Sequence, residues 1–353
     1  MNVTTPHKIT RRTVQFRPNS RNLFFHILTA CNLKCAHCYI NPQQHGTTTL
    51  DEDTIKKWLA LFSRSHGSKA IKAVEDTNVI FLGGEPTLNP ALAQGIKEAK
   101  RLGYASITVD TNGYLFHDIL EKVTPDEVDY FSFSLDGSTP NINDPIRGEG
   151  SFETCTSGIR RAVELGFSVS SIFTASSKNI HDLPNMPSLL KDLGVSRFFI
   201  QVIGIRGKPA KGEGQSLQLT KQVWESIVPK TAENAAKLGL ICHYPTVFLE
   251  NDAKFECAGV VAENYFVFPN GRVYTCPLCE DYPLHAFEIK EDELVRRPPL
   301  TEMELFTLKI PEGCVMNKLL HPGNLTYDSN GNPVYKIACC MLKEEIVANP
   351  LLG

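Results

Sequence analysis

Between residue 22 and about residue 240 the chain alternates short apolar runs with amphipathic segments, and this alternation limits the folds open to it more than any other feature. The runs are "NLFFHILT" (22–29), "NVIFL" (78–82), "SITVD" (106–110), "YFSFSL" (130–135), "SVSSIFT" (168–174) and "RFFIQVI" (197–203). The segments between them carry helical spacing and helix punctuation. "LDEDTIKKWLALFSRS" offers Asp51 or Asp53 as an N-cap, while "NPALAQGIKEAKRLG" and "SFETCTSGIRRAVELG" end on Gly103 and Gly166. Strand, helix, strand at this pace predicts an α/β fold with a parallel sheet. Six such units fall short of the eight that close a barrel, which leaves an open or partial barrel or a doubly wound sheet. In each case ligands gather at the carboxyl ends of the strands.

A length of 353 residues suits about two domains, and 42% hydrophobic content supports a folded globule. The net charge of -3 gives no reason to expect nucleic acid or a charged membrane surface as a partner. No stretch reaches transmembrane length, so a soluble cytoplasmic protein is the default expectation. The basic start, with Lys8, Arg11, Arg12, Arg17 and Arg21, reads as a solvated arm over residues 1–21. Arg11-Arg12 followed by "LFFHILTAC" has the outline of a lipoprotein-type cleavage site. The apolar run is broken by His26, however, and cleavage would separate Cys31 from its partners, so the run reads as the first strand.

The eleven cysteines fall in a triplet at Cys31, Cys35 and Cys38, a lone Cys155, and seven between Cys242 and Cys340. Clustered spacings in a chain this long suggest metal ligation rather than a disulfide framework. The triplet lies in "CNLKCAHCYI" (31–40), after the first apolar run. Three thiolates on one loop can hold a metal, but zinc and iron–sulfur clusters usually take four ligands. Either His37 or His45 completes a structural zinc site, or the fourth position is open. The strand ends that follow are also unusual: "GGEP" (83–86), "TNG" (111–113) and "SLDG" (134–137) put glycines and polar residues on the same rim. Cys155 and Cys242 read as buried small apolar residues.

After about residue 240 the rhythm changes to β-hairpin signals. "NYFVFPNGRVYTC" reads as two strands about an Asn270-Gly271 turn, with Cys276 opposite Tyr265 at the open end, where the chain from Cys257 enters. "NLTYDSNGNPVYKIACC" repeats the pattern about Asn330-Gly331, with Cys339 and Cys340 at its open end.

The combination of Cys31-x3-Cys35-x2-Cys38, Tyr39 and "GGEP" at successive strand ends resembles the radical S-adenosylmethionine (SAM) superfamily over roughly residues 22–205. The resemblance implies a partial (β/α)6 TIM-like barrel over residues 22–240. It implies a [4Fe-4S] cluster on the three cysteines, whose open iron takes SAM, and a reductive cleavage that gives a 5'-deoxyadenosyl radical able to abstract hydrogen from a substrate. It assigns the SAM amine to the backbone of Gly83, Gly84, Glu85 and Pro86, the ribose to Ser134 with Asn112 and Asp136 as further candidates, the carboxylate to Arg147, and the adenine to His37. Ser, Asn and Asp at strand ends are equally turn formers, and Arg147 is equally a surface-loop charge. A planar guanidinium nevertheless suits a carboxylate.

The later cysteines resemble the SPASM and twitch auxiliary cluster domains, matched by Cys257, Gly271 and Cys276. The match departs from the two-cluster SPASM pattern, because Cys257, Cys276, Cys279, Cys314, Cys339 and Cys340 do not fill two clusters of four. A smaller hairpin-containing domain over 241–353 with one auxiliary [4Fe-4S] cluster is therefore expected, with a zinc ribbon as the alternative. The resemblance further implies a flavodoxin- or ferredoxin-type electron donor and a substrate that is a peptide or protein side chain, or else a small molecule such as a sugar or tetrapyrrole. A reading of another class remains open at this point: a non-catalytic protein whose two cysteine groups hold zinc.

Overall fold

The computed structural model describes residues 8–14, 21–64, 74–212, 217–338 and 340–349. Its strands are β1 Lys8–Val14, β2 Arg21–His26, β3 Thr77–Leu82, β4 Ser106–Thr111, β5 Tyr130–Ser134, β6 Val169–Ala175, β7 Arg197–Val202, β8 Ile241–Pro245, β9 Phe248–Leu249, β10 Glu263–Val267, β11 Arg272–Tyr274, β12 Phe287–Lys290, β13 Glu293–Arg296, β14 Lys336–Ile337 and β15 Lys343–Asn349. The six apolar runs are β2 to β7, and they lie side by side in sequence order, each parallel to the next. Three of the connecting helices are Glu52–Phe62, Leu92–Leu102 and Ser151–Glu164. The first is capped by the Asp51 carboxylate, which accepts the Thr54 amide at 2.8 Å. The other two run into Gly103 and Gly166, both in the left-handed region with φ of +86° and +85°.

Alternation along each strand separates two environments. On β3 and β4 the residues facing the helices are Val79, Phe81, Ile107 and Val109, all in the main hydrophobic core. The opposite face is polar: Asn264, Asn22, Asn78 and Ser106 form a ladder of side-chain hydrogen bonds of 2.8 to 3.0 Å across four adjacent strands. The barrel is thus apolar outside, against its helices, and largely polar within.

The main sheet extends past the six strands, in the order β1-β15-β8-β7-β6-β5-β4-β3-β2-β10-β11-β12-β13. β8 continues the parallel run beyond β7, and β10 is parallel to β2 on the other flank. The two ends do not pair, so the barrel is partial, as expected. The sheet passes straight through the boundary drawn at residue 240, since β8, β10 and β15 are all hydrogen-bonded into it. The basic N-terminal stretch also differs from a solvated arm. Lys8–Val14 pairs antiparallel with β15 along its whole length, and its sequence KITRRTV holds four β-branched residues among the charges. Arg21 is fully buried at the start of β2, where it donates to the carbonyls of Phe62 and Arg64 at 2.8 and 3.1 Å and lies 3.5 Å from Glu263.

The first hairpin forms with a shifted register. Phe266 pairs with Tyr274, which places Cys276 level with Asn264 rather than Tyr265. The cause is the loop: Phe268 donates to Arg272, enclosing three residues that end on Gly271 at φ +80°, where a two-residue turn had been read. In the second hairpin only Tyr327 and Pro333 bridge about Asn330-Gly331, and the returning segment leaves to pair as β14 with β9.

Candidate active site at the strand ends

The cysteine loop is held from three sides. Below it, the amides of Gly84 and Glu85 donate to the carbonyls of Leu28 and Ala30 at 3.2 and 3.0 Å. On one flank Ala36 donates to Ile146, and on the other Lys208 donates to Cys38 through its amide and to Cys35 through its ammonium. The contact with the glycine turn is tight. A Cβ at Gly84 would lie 2.2 Å from the Ala30 carbonyl oxygen and 2.5 Å from that of Thr29; one at Gly83 would lie 2.7 Å from that of Leu28. Gly84→Ala should therefore destabilise the fold by about 1–3 kcal/mol and loosen the loop that carries Cys31. Thermal unfolding together with the iron retained at the triplet measures both effects.

All three thiols of the triplet open into one cavity of about 300 Å³, together with Gly83, Gly84, Glu85, Asn112, Ser134, Arg147 and His37. Cys31 is exposed as a residue, yet enough of its thiol is enclosed that desolvation pushes it up to about 11, against the pull of the Leu33 amide. Burial also raises Cys35, whose thiol points at the Arg147 carbonyl 3.7 Å away. Thiols held this way are protonated at neutral pH and become ligands only when a metal displaces the proton.

His45 is not available to complete a zinc site. His45 uses both ring nitrogens, Nδ1 with the Asn41 amide and Nε2 with the Glu280 carbonyl, each at 3.1 Å. His37 turns Nε2 to within 3.3 Å of Asp136. Burial lowers the His37 pKa to about 4 against the opposing influence of Asp136, so the ring is neutral. Among the described residues no three His, Cys, Asp or Glu groups are arranged about a single ion. Three cavity-facing thiols backed by a glycine cradle suit a cluster that presents one open position.

The remaining expected SAM contacts divide into two groups. Ser134 and Asn112 line the cavity, with the Asn112 amide 2.8 Å from Asn32 Oδ1 and 3.8 Å from the Cys31 sulfur. Arg147 lines it too, and Nε lies 2.7 Å from Asp136 Oδ2, so it is a buried cation rather than a surface-loop charge. Asp136 does not line the cavity. It is fully buried, its other oxygen accepts the Thr174 amide at 2.7 Å, and it braces β5 against β6. Glu85 is likewise a brace: its carboxylate accepts from Thr87, Thr111 and the Asn112 amide, tying the "GGEP" and "TNG" loops together. With the Gly84 and Glu85 amides committed to the cysteine loop, the turn has carbonyls to offer a ligand. Pro86 is buried below the cavity wall.

Of the later cysteines, Cys279 and Cys314 are buried in a second, smaller core, and Cys257, Cys276 and Cys340 pack against it. Glu302 supports the Cys276 turn, accepting the amides of Thr275 and Cys276 at 2.6 and 3.1 Å. Cys340 also lines the main cavity, while Cys339 lies outside the described residues. Cys155 and Cys242 are buried in the main core, as read.

Sequence reasoning missed Asp110, Arg206, Glu280 and Lys343, all in the cavity wall. Asp110 had a signal, since Ser106, Thr108 and Asp110 alternate along one face of β4. Arg206 stacks 4.4 Å over the Tyr39 ring and ion-pairs with Glu280. That pairing joins the cysteine loop to the turn carrying Cys276 and Cys279, a long-range contact with no local trace.

A model described as the radical SAM superfamily matches residues 26–190. Among curated proteins the chain is 29% identical over 231 residues to the Fe-coproporphyrin III synthase of Methanosarcina barkeri, covering 64% of this chain and 55% of that one. It is 28% identical over 245 residues to the pre-heme d1 synthase of Dinoroseobacter shibae, covering 67% and 55%. The chain thus spans about half the length of these relatives. Among solved structures, Streptococcus suis SuiB bound to S-adenosylmethionine superposes with a TM-score of 0.56 at 13% identity, covering 87% of this chain and 68% of that one. Native anSMEcpe with bound AdoMet gives 0.55 at 14% identity, covering 82% and 81%. These likenesses concern the fold, a partial barrel with its appended C-terminal elements. The matched stretch runs from the first strand of the parallel series to the helix preceding its sixth, with the cysteine loop and the glycine turn inside it, so over these residues the chain is similar to the radical SAM superfamily.

Proposed function

We propose that this chain is a radical SAM enzyme that holds a [4Fe-4S] cluster on Cys31, Cys35 and Cys38 and modifies a substrate lodged in the adjoining barrel cavity. The observation that carries this reading is the meeting of three thiols, the Gly83-Gly84 cradle and a buried guanidinium in one cavity, with both ring nitrogens of His45 engaged elsewhere. When bound, the cluster and SAM supply an electron and a 5'-deoxyadenosyl radical that removes a hydrogen atom from the substrate. The chain's own residues bind and orient. Carbonyls of the glycine turn receive the SAM amine, Arg147 its carboxylate, and Ser134 and Asn112 its ribose. The neutral His37 ring is a flat surface for adenine and not an acid. Formation of 5'-deoxyadenosine from SAM and dithionite by the anaerobically reconstituted protein tests the reading.

Arg147→Ala should weaken SAM binding about tenfold or more, the effect of losing a charge-assisted hydrogen bond. It should also lower the melting temperature, because Asp136 would remain buried without its cation. Arg147→Lys keeps a charge but loses the planar fork, so affinity should fall while most of the stability returns. Titration with SAM beside a thermal melt separates the two.

The residues beyond about 240 form, in this proposal, an auxiliary domain with one [4Fe-4S] cluster held by Cys257, Cys276, Cys279 and Cys314. The two buried thiols of that set and the Glu302-braced turn support it. Cys339 and Cys340 are then the two candidates outside the ligand set, with Cys340 between the small core and the cavity. A flavodoxin- or ferredoxin-type protein is the proposed donor. The substrate is a peptide or a small molecule: SuiB and anSMEcpe have been solved with peptides, while curated relatives are named for tetrapyrrole products or as GTP 3',8-cyclases.

A further inference from the structure

The charged groups in the cavity wall are nearly all matched. Arg147 faces Asp136 and Arg206 faces Glu280, while Glu85 is held by two hydroxyls and two amides. Two groups are not matched in this way. Lys343, from β15, has among the described residues no carboxylate within ion-pairing distance, and its ammonium rests 5.4 Å from the centre of the Phe199 ring. Asp110, from β4, has the Ser132 hydroxyl as its hydrogen-bonding partner. Four strands, β5 to β8, separate β4 from β15 in the sheet, and among the described residues Lys343 and Asp110 line the same cavity without an ion pair between them.

A half-buried cation and a half-buried carboxylate that each lack an ion-pairing partner are less well solvated than surface charges, and a ligand that supplies the missing groups gains by doing so. Desolvation lowers the Lys343 pKa and raises that of Asp110 to about 7, each against the weaker opposing influence of the other's charge. We propose that Lys343 and Asp110 form a substrate subsite in which a carboxylate of the substrate docks on the Lys343 ammonium and an N–H or O–H donor of the same molecule meets Asp110. This deepens the radical SAM reading and rests on it, because the subsite opens into the cavity that holds the cysteine triplet, where the abstracted hydrogen must lie. The substrate is thereby a carboxylic acid, its carboxylate borne by a tetrapyrrole side chain or by an acidic residue of a peptide.

The test uses the reconstituted, SAM-loaded full chain and two probe pairs. One is coproporphyrin III against its tetramethyl ester; the other is a short end-blocked peptide with one glutamate against the same peptide with glutamine. Wild type should bind one acid in preference to its neutral counterpart, and which pair shows the preference identifies the source of the carboxylate. Lys343→Gln should weaken that acid about tenfold and leave the neutral probe unchanged, while Lys343→Arg should restore most of the loss. SAM affinity and 5'-deoxyadenosine formation without substrate should be normal in both variants. An acid preference that survives in Lys343→Gln, or wild type that favours neither acid, overturns the subsite while leaving the functional reading intact. Wild type that forms no 5'-deoxyadenosine overturns the functional reading and the subsite with it.

Discussion

Reconstituted wild-type protein given dithionite and SAM under anaerobic conditions should form 5'-deoxyadenosine, and the variant with Cys31, Cys35 and Cys38 all replaced by alanine should form none above the uncatalysed background. The expected loss is complete because the thiols are the proposed attachment of the metal and no alternative set lines the same rim. Enzymes typically accelerate their reactions by at least about a millionfold, so nothing measurable should survive. The variant should still fold. Cys31 is exposed and the other two are half-buried, so their removal leaves no large cavity in the barrel core. Equal nucleoside from the two proteins would defeat the assignment of the triplet.

The same variant provides the second large effect. With the triplet gone, about four irons per chain should remain, the content of one auxiliary cluster. Adding Cys257→Ala and Cys276→Ala should remove most of them, because two of four thiolates are lost and the small core that shields the site is opened. Cys279 and Cys314 are the buried thiols of that core, so each alone should also cost iron, whereas Cys340→Ala should not. About eight irons in the triplet variant would mean two auxiliary clusters with incomplete cysteine ligation. Zinc without iron would remove the electron-transfer role from this part of the chain.

Much of this site was legible before any coordinates, for a physical reason. A parallel α/β unit encodes its strands as local apolar runs and its helices as local periodicity, so β2 to β7 fell where the runs stood. The ends of those strands then had to share a rim, which brought the cysteine triplet, "GGEP", "TNG" and "SLDG" together without further information. Side-chain commitments were not legible at that level. Asp136 and Arg147 each suited a SAM contact by residue type, but their 2.7 Å pairing depends on how the helix Pro140–Arg147 packs back over β5, and it turned Asp136 into a brace.

The sequence alone thus determined the parallel order of six strands, the loop bearing the three cysteines and the rim on which it sits, because all of these are set by neighbours a few residues apart. Tertiary structure decided what enters the barrel from far along the chain. β1 and β15 pair across more than three hundred residues of sequence, β10 joins the flank of β2, and these pairings carry the segments that bring Lys343 and Glu280 to the cavity. Edge pairing of this kind is set by backbone hydrogen bonds that any residue except proline can make, and therefore leaves little mark on the sequence.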